Sequence, residues 1–314
     1  MTNSDIVDLW VGSHDLPAWF TEAMAVPREE GFAQINSHKV HYFRWGKRGN
    51  PPLLITHGFL AHARCFAFIA PFFAEEYDIV AYDLAGMGDS DAQPGRTNAE
   101  RGEDMVAAAE KFDMFDGPVN PIIIAHSFGG GVGLSAMEHA GERFSGLIIC
   151  DLMVMRPEIL KAIWKVEGLG RPGSGNPHKR NNIYPDYETA RARYVLSPQQ
   201  SVKAAFLLDY MAYHSLCEVD GGWTWKFDPQ VFTRVEEDQQ NWLQTAQRIA
   251  DLEHKAVIIY EEKSSLFDAD SIEYIKEVGG SHVPMIAVPD AEHHLMLDQP
   301  MVFVTALRCM LALW

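Results

Sequence analysis

Cysteine is scarce in this chain, with four residues in 314. They are widely scattered and none forms a Cys-x-x-Cys pair, so neither a disulfide framework nor a zinc site is expected; they are Cys65, Cys150, Cys217 and Cys309. Cys150 ends an apolar run and is interpreted as a small buried hydrophobic residue. Three histidines without metal-ligand spacing are interpreted as ordinary surface or packing residues: His139, His254 and His282. The sequence therefore predicts no metal site.

Long apolar runs and an excess of basic charge are also missing. No stretch is long enough to span a bilayer, and residues 1–8 carry acids where a signal peptide carries bases. Asp and Glu (43) outnumber Lys and Arg (26), and the resulting net charge of −17 disfavours binding to nucleic acid or to anionic membranes. We therefore expect a soluble, cytoplasmic protein with a small-molecule substrate. Homo-oligomerisation stays open.

The composition, 47% hydrophobic and 22% charged, is that of a globular protein with a sizeable core. Short apolar runs alternate with helical patterns, which is typical of a mostly parallel sheet with helices on both faces. A hairpin is predicted first, at 32–36 and 39–45. The strands predicted after it are 52–56, 77–82, 121–125, 146–150, 256–260 and 283–288, and helices are predicted at 98–112 and 271–278, among others.

One long interval, from Met153 to Ile249, breaks this alternation. It lacks a convincing buried strand, has helical patterns at 198–213 and 229–246, and contains a loop rich in Gly and Pro at 168–177. We interpret it as a helical cap inserted after the sixth strand. The predicted domains are a core of 1–152 and 250–314 and a cap of 153–249, and a helical layer without a gating role is the alternative.

The segment Pro121–Gly131 indicates a buried strand, a sharp turn carrying Ser127, and a helix. This is the pattern of a nucleophile elbow, in which small residues flank the serine because strand and helix approach closely. Ser127 is therefore the candidate nucleophile.

A serine hydroxyl needs a general base, and histidine has a suitable pKa. Among thirteen histidines, His293 follows the last predicted strand in a polar loop, at the sheet edge where the elbow also lies. His293 is the favoured base, with His294 as the alternative.

The histidine in turn needs a carboxylate. The loop after the seventh strand has serines at 264 and 265 where an aspartate would be expected. Asp151 follows four apolar residues, and its burial would be unfavourable unless it were paired. Asp151 is therefore preferred, Glu262 and Asp268 are the alternatives, and a purely structural role for Asp151 stays open.

Backbone donors for an oxyanion are expected at two places. One is the Phe128 N–H at the start of the helix, and the other is the Phe59 N–H in the loop after strand 52–56. His57 in that loop is expected to be structural. The loop Asp83–Ser90 contains two glycines but matches neither phosphate-binding pattern, so it is interpreted as a tight turn beside the site.

Four pieces in order make the sequence resemble the α/β-hydrolase fold over nearly its whole length: His57–Phe59, Asp83–Ser90, His126–Gly130 and Ala291–His293. The resemblance implies an eight-stranded sheet, a helical cap after strand six, a Ser–acid–His triad and no cofactor. It places the nucleophile on Ser127, the base on His293 and the oxyanion donors on Phe59 and Phe128.

Two departures from the family pattern stand out. Glu292 replaces the glycine that is usual before the histidine, and the acid after strand seven is absent. Some haloalkane dehalogenases place the acid after strand six, as Asp151 would be here. Those enzymes and the epoxide hydrolases use an aspartate nucleophile, which Ser127 does not match.

These features predict a serine hydrolase that cleaves a small, largely apolar carboxylic ester or lactone through an acyl-enzyme. Hydrolysis of a carbon–carbon bond in a diketone is the enzymatic alternative, and ligand binding without catalysis is the other. Three aromatic residues in a stretch similar to caps of bacterial family members are expected to pack beneath the lid or to line a pocket: Trp223, Trp225 and Phe227.

Overall fold

The computed structural model describes residues 15–167, 180–231 and 235–314. The acidic segment 1–8 and the loop 168–177 lie outside the described residues. The strands are β1 Arg28–Ile35, β2 His38–Trp45, β3 Pro52–Thr56, β4 Asp78–Tyr82, β5 Ile122–His126, β6 Gly146–Cys150, β7 Leu216–Val219, β8 Gly222–Trp225, β9 Ala256–Glu261 and β10 Met285–Val288.

The helices are α1 Ala18–Ala25, α2 Asn98–Lys111, α3 Phe128–Ala140, α4 Pro157–Glu167, α5 Tyr187–Arg191, α6 Ala205–His214, α7 Val235–Leu243, α8 Thr245–Ala250, α9 Ala269–Glu277, α10 Leu295–Asp298 and α11 Pro300–Leu311. Short 3₁₀ turns occur at Ala63–Phe66, Ala70–Phe73, Gly141–Arg143 and Gly280–His282. Among the described residues, no helix is long and apolar enough to cross a membrane.

Eight strands form one sheet in the order β1-β2-β4-β3-β5-β6-β9-β10. The pairs β1–β2 and β2–β4 are antiparallel and the others are parallel. Strands β3 to β6 are buried along their whole length, which explains why they are continuous apolar runs. The predicted α/β fold with a mostly parallel eight-stranded sheet is confirmed.

Helices cover both faces of this sheet, and each face has its own apolar core. In β3, Leu53 and Ile55 belong to the core that includes Phe303 of α11, whereas Leu54 belongs to the core that includes Met105 of α2. This alternation follows from the two-residue period of a strand. The sheet is therefore the middle layer of three.

The interval 153–249 differs in detail from its prediction. Helix α6 begins only at Ala205, and the pattern at 229–246 corresponds to α7 and the start of α8. Strands β7 and β8 form a separate, half-exposed hairpin that turns at Gly221. A search for buried apolar runs misses such a hairpin because its strands are short and partly open to solvent.

Candidate active site

The strand β5, Ser127 and helix α3 form a sharp turn at the carboxyl edge of the sheet. Ser127 has φ +51° and ψ −123°, a conformation that L residues adopt rarely, and its N–H donates to the Cys150 carbonyl at 2.8 Å. A Cβ at Gly129 would lie 2.6 Å from the His57 carbonyl oxygen, so this position requires glycine. The turn leaves Ser127 9% exposed.

His293 lies in the loop after β10, and its ring bridges Ser127 and Asp151. Its Nε2 is 2.8 Å from Ser127 Oγ, and its Nδ1 is 2.6 Å from Asp151 Oδ2. A carboxylate can only accept, so Nδ1 carries the proton of the neutral ring and Nε2 accepts from the Ser127 hydroxyl. The ring is 3% exposed, which shields both hydrogen bonds from water.

Asp151 directly follows β6 with φ +47° and is 0% exposed. Besides His293, the Ser264 hydroxyl donates to Oδ2 at 2.6 Å, and the Glu261 N–H faces Oδ1 at 3.5 Å. Burial alone would raise the pKa of Asp151, but hydrogen bonds with Glu261, His293 and Ser264 hold it below its ordinary value. Asp151 is therefore an ionised carboxylate beside the histidine.

The alternative candidates lie elsewhere. Glu262 is exposed and accepts the Asp290 N–H at 3.2 Å, while Asp268 caps α9 by accepting the Ser271 N–H at 3.0 Å. The ring of His294 lies 5.0 Å from that of His293, centre to centre, but the hydrogen bond to Ser127 is made by His293. The structure thus brings together Ser127, His293 and Asp151, the three preferred residues.

The two residues expected to supply oxyanion donors lie side by side. Phe128 begins α3, so its N–H is one of those that a helix leaves without an intrahelical acceptor. The rings of Phe59 and Phe128 are 5.5 Å apart, and the ring of Trp242 is 6.2 Å from that of Phe128. The three side chains therefore form one aromatic cluster, and Phe128 directly follows Ser127 in the chain.

His57 joins the loop after β3 to the loop after β4. The Leu84 N–H donates to its Nε2 at 2.9 Å, so its Nδ1 carries the proton and donates to the Gly58 carbonyl at 2.7 Å. Complete burial lowers the pKa of His57. In the loop after β4, the Ser90 hydroxyl closes a tight turn by donating to the Asp83 carbonyl at 2.7 Å. These contacts match the structural role expected of both segments.

Among the described residues, one group has metal-ligand spacing: His41, Asp83 and Asp89. His41 lies between Asp83, at 3.0 Å, and Glu30, at 3.1 Å. Burial opposes its protonation, but these two carboxylates raise its pKa to about 9. Asp89 also pairs with Lys226, at 2.6 Å. The group is therefore best described as an ion-pair network.

Three residues near Asp151 and His293 were missed by sequence reasoning. Ser264 and Glu261 contact Asp151, and the buried His126 donates from Nε2 to the His293 carbonyl at 2.9 Å. Burial lowers the pKa of His126 to about 3, so its ring is neutral. Their position in the sequence could have indicated them, because all three lie at or just after the ends of strands β5 and β9.

Glu292, the residue that departs from the family pattern, faces the interval 153–249. Its carboxylate accepts from the Ser201 hydroxyl at 3.5 Å, and its N–H donates to Asp298 at 2.8 Å. On the hairpin, Trp223 and Trp225 pack edge-on against tyrosines, and Phe227 is half-buried. The aromatic residues of the hairpin thus take part in packing within this interval.

Comparison with known proteins agrees with this architecture. Residues 53–307 match the alpha/beta hydrolase family. The chain is 26% identical over 117 residues to the uncharacterized hydrolase YugF of Bacillus subtilis, which spans 37% of this chain and 41% of that protein. It is 34% identical over 112 residues to a serine hydrolase-like protein of Mus musculus, which spans 34% of each chain. The chain thus spans less than half the length of these curated relatives.

Solved structures show the same fold at low sequence identity. E-2-(acetamidomethylene)succinate hydrolase superposes with a TM-score of 0.75 at 17% identity, over 91% of this chain and 100% of that one. An esterase of M. tuberculosis superposes with a TM-score of 0.72 at 17% identity, over 95% and 100%. Because the family match covers most of the chain, this protein belongs to the alpha/beta hydrolase family.

Proposed function

We propose that this protein is a serine hydrolase that cleaves small, largely apolar carboxylic esters or lactones through an acyl-enzyme on Ser127. The observation that carries the proposal is the continuous hydrogen-bonded array in which Ser127 Oγ is 2.8 Å from His293 Nε2, and His293 Nδ1 is 2.6 Å from Asp151. These are the distances that proton transfer from a nucleophile to its base requires.

In the proposed mechanism, His293 takes the Ser127 proton as Oγ attacks the substrate carbonyl carbon. Asp151 holds the resulting imidazolium, and the N–H groups of Phe59 and Phe128 stabilise the oxyanion. The tetrahedral intermediate collapses to the acyl-enzyme, and His293 gives its proton to the leaving alcohol. Water then repeats the cycle and releases the carboxylic acid and a free Ser127.

The surroundings of Ser127 support an apolar acyl group. The rings of Phe59, Phe128 and Trp242 form one cluster in which Phe128 directly follows Ser127, and aromatic side chains favour apolar ligands. Trp242 comes from the interval 153–249, and Gln200 of the same interval accepts the His294 N–H at 2.9 Å. We therefore propose that this interval is a cap that covers the site and shapes its specificity.

The test is intact-mass analysis after treatment with a fluorophosphonate probe. We expect one adduct, located at Ser127 and absent in Ser127→Ala, with labelling slowed roughly 10³-fold or more in His293→Ala. His282→Ala removes an exposed histidine whose Nδ1 lies 3.3 Å from the Gly279 carbonyl oxygen, so it serves as the matched control and should label at the wild-type rate. Wild-type protein that forms no adduct would instead support ligand binding without catalysis.

A panel of p-nitrophenyl esters, lactones and a diketone identifies the bond that is cleaved. Release of a carboxylic acid and an alcohol from esters is the expected product pattern. Cleavage of the diketone alone would assign the carbon–carbon alternative to the same residues.

A further inference from the structure

A second carboxyl group lies next to the proposed acid. Glu261 is the last residue of β9, and it is 0% exposed. Among the described residues, none donates a hydrogen bond to either of its side-chain oxygens. A carboxylate without a donor or a cation is strongly disfavoured in such a place, because burial removes its hydration without replacement.

The groups that face Glu261 make ionisation still less favourable. From the end of β6 come Asp151, which is ionised, and Cys150, whose buried thiol has a raised pKa and stays neutral. The paired residue of β10 is the apolar Val288. Burial and the proximity of the Asp151 carboxylate together hold the pKa of Glu261 well above its ordinary value.

One oxygen of the Asp151 carboxylate lacks a strong hydrogen bond, which a neutral carboxylic acid can donate. Its Oδ2 accepts two strong hydrogen bonds, from His293 at 2.6 Å and from Ser264 at 2.6 Å. Within the part of the chain that the structure describes, the one donor facing its Oδ1 is the Glu261 N–H, at 3.5 Å. A fully buried carboxylate with one weakly bonded oxygen is stabilised by a further donor, and hydrogen bonds to charged groups are the strongest kind.

We propose that Glu261 is a neutral carboxylic acid that donates its proton to Oδ1 of Asp151 and thereby positions Asp151 for His293. The two carboxyl groups share one proton and one negative charge, so His293 faces a single, oriented carboxylate. The proposal deepens the function proposed above, and its catalytic part rests on that function. Glu261 is a positioning residue, since it acts through Asp151 and not on the substrate.

The kinetic test compares Glu261→Gln with Glu261→Leu. Glutamine keeps the shape and an N–H donor, so kcat should stay within a few-fold of wild type. Leucine removes the donor to a charged group, and kcat should fall roughly tenfold to a hundredfold while KM stays unchanged. Glu262→Gln, at the exposed neighbouring position, is the matched control. A Glu261→Leu variant that is folded and retains wild-type kcat would overturn the positioning role.

The protonation state is tested without any activity assay. Wild-type protein at pH 7 should show an infrared band of a protonated carboxylic acid that Glu261→Gln lacks and Glu262→Gln keeps. Because the pKa of Glu261 rises above 4.5 on folding, the stability that it contributes is full below pH 4.5 and is lost as the pH rises. The unfolding free energy of wild type should therefore decrease relative to that of Glu261→Gln above pH 4.5.

These readouts separate the two proposals. Absence of both the infrared band and the pH-dependent difference would overturn the neutral acid, whatever the enzyme does. If both are present but the fluorophosphonate adduct on Ser127 is missing, the proposed function fails and the protonation of Glu261 stands. The infrared band and the pH-dependent stability difference, together with the loss of kcat in Glu261→Leu, support both the protonation and the positioning role of Glu261.

Discussion

Replacing Asp151 with asparagine is the sharpest single perturbation of the site, since it removes a charge without changing the shape of the side chain. Three donors seen in the structure are placed for the Asp151 carboxylate. His293 and Ser264 act on Oδ2, and the Glu261 N–H faces Oδ1. An amide has only one oxygen, so one of its two positions must present an N–H₂ group to a donor.

Either orientation of the asparagine damages the array. If the amide nitrogen replaces Oδ2, it faces His293 Nδ1, which must then accept, and the ring proton moves to Nε2. A protonated Nε2 cannot take the proton of Ser127. If the oxygen replaces Oδ2, the amide nitrogen opposes the Glu261 N–H, and the imidazolium formed in the reaction still lacks its counter-charge.

We therefore expect kcat to fall about 10⁴-fold in Asp151→Asn, which corresponds to about 5.4 kcal/mol of transition-state stabilisation. Steady-state ester hydrolysis and the rate of fluorophosphonate labelling should fall together, while circular dichroism confirms the fold. Ser264→Ala is the graded comparison, because it removes one hydrogen bond to the carboxylate and should cost roughly tenfold to a hundredfold. A loss below tenfold in Asp151→Asn would refute the assignment of Asp151 as the acid.

Three further outcomes concern stability. Gly129→Ala places a Cβ 2.6 Å from the His57 carbonyl oxygen, so thermal unfolding should show a destabilisation of about 1–3 kcal/mol. Arg44→Met leaves the buried Asp78 carboxylate without its two hydrogen bonds, at 2.8 and 2.6 Å, and should cost about 3–5 kcal/mol in urea unfolding. Folding raises the pKa of His41 from 6.5 to about 9, so its contribution is full below pH 6.5 and is lost as the pH rises through about 9. The difference in unfolding free energy between wild type and His41→Gln should shrink over that range, and a constant difference would contradict the ion-pair network.

The parts of the site that the sequence predicts are those carried by local pattern. Ser127 stands between a buried apolar strand and a helix. Gly129 is required because the backbone at His57 comes close to it, and the small residues around Ser127 already indicate such a close approach. The sheet was predictable for a similar reason, since strands buried on both faces appear as continuous apolar runs.

The remaining parts depend on which strands become neighbours. Glu261 and Ser264 reach Asp151 only because β9 lies next to β6, although about a hundred residues separate the two strands in the chain. A single sequence carries no direct signal of such a pairing. The start of α6 at Ala205 was not predicted, for another reason. The polar stretch before it has no periodicity that distinguishes a helix from a loop.

The adjacency of β6 and β9 has a consequence for how this chain can change. Direct pairing of β6 with β9, such as that of Cys150 with Ile259, holds Asp151 next to Glu261. The long interval between these two strands begins and ends at this pair. Doubling the length of a flexible excursion costs only about 0.6 kcal/mol of closure free energy. Insertions and deletions at its exposed parts can therefore occur without unpairing the strands that hold Asp151. Under the function proposed above, ligand preference can change at the exposed parts of this interval while the pairing that holds Asp151 is kept.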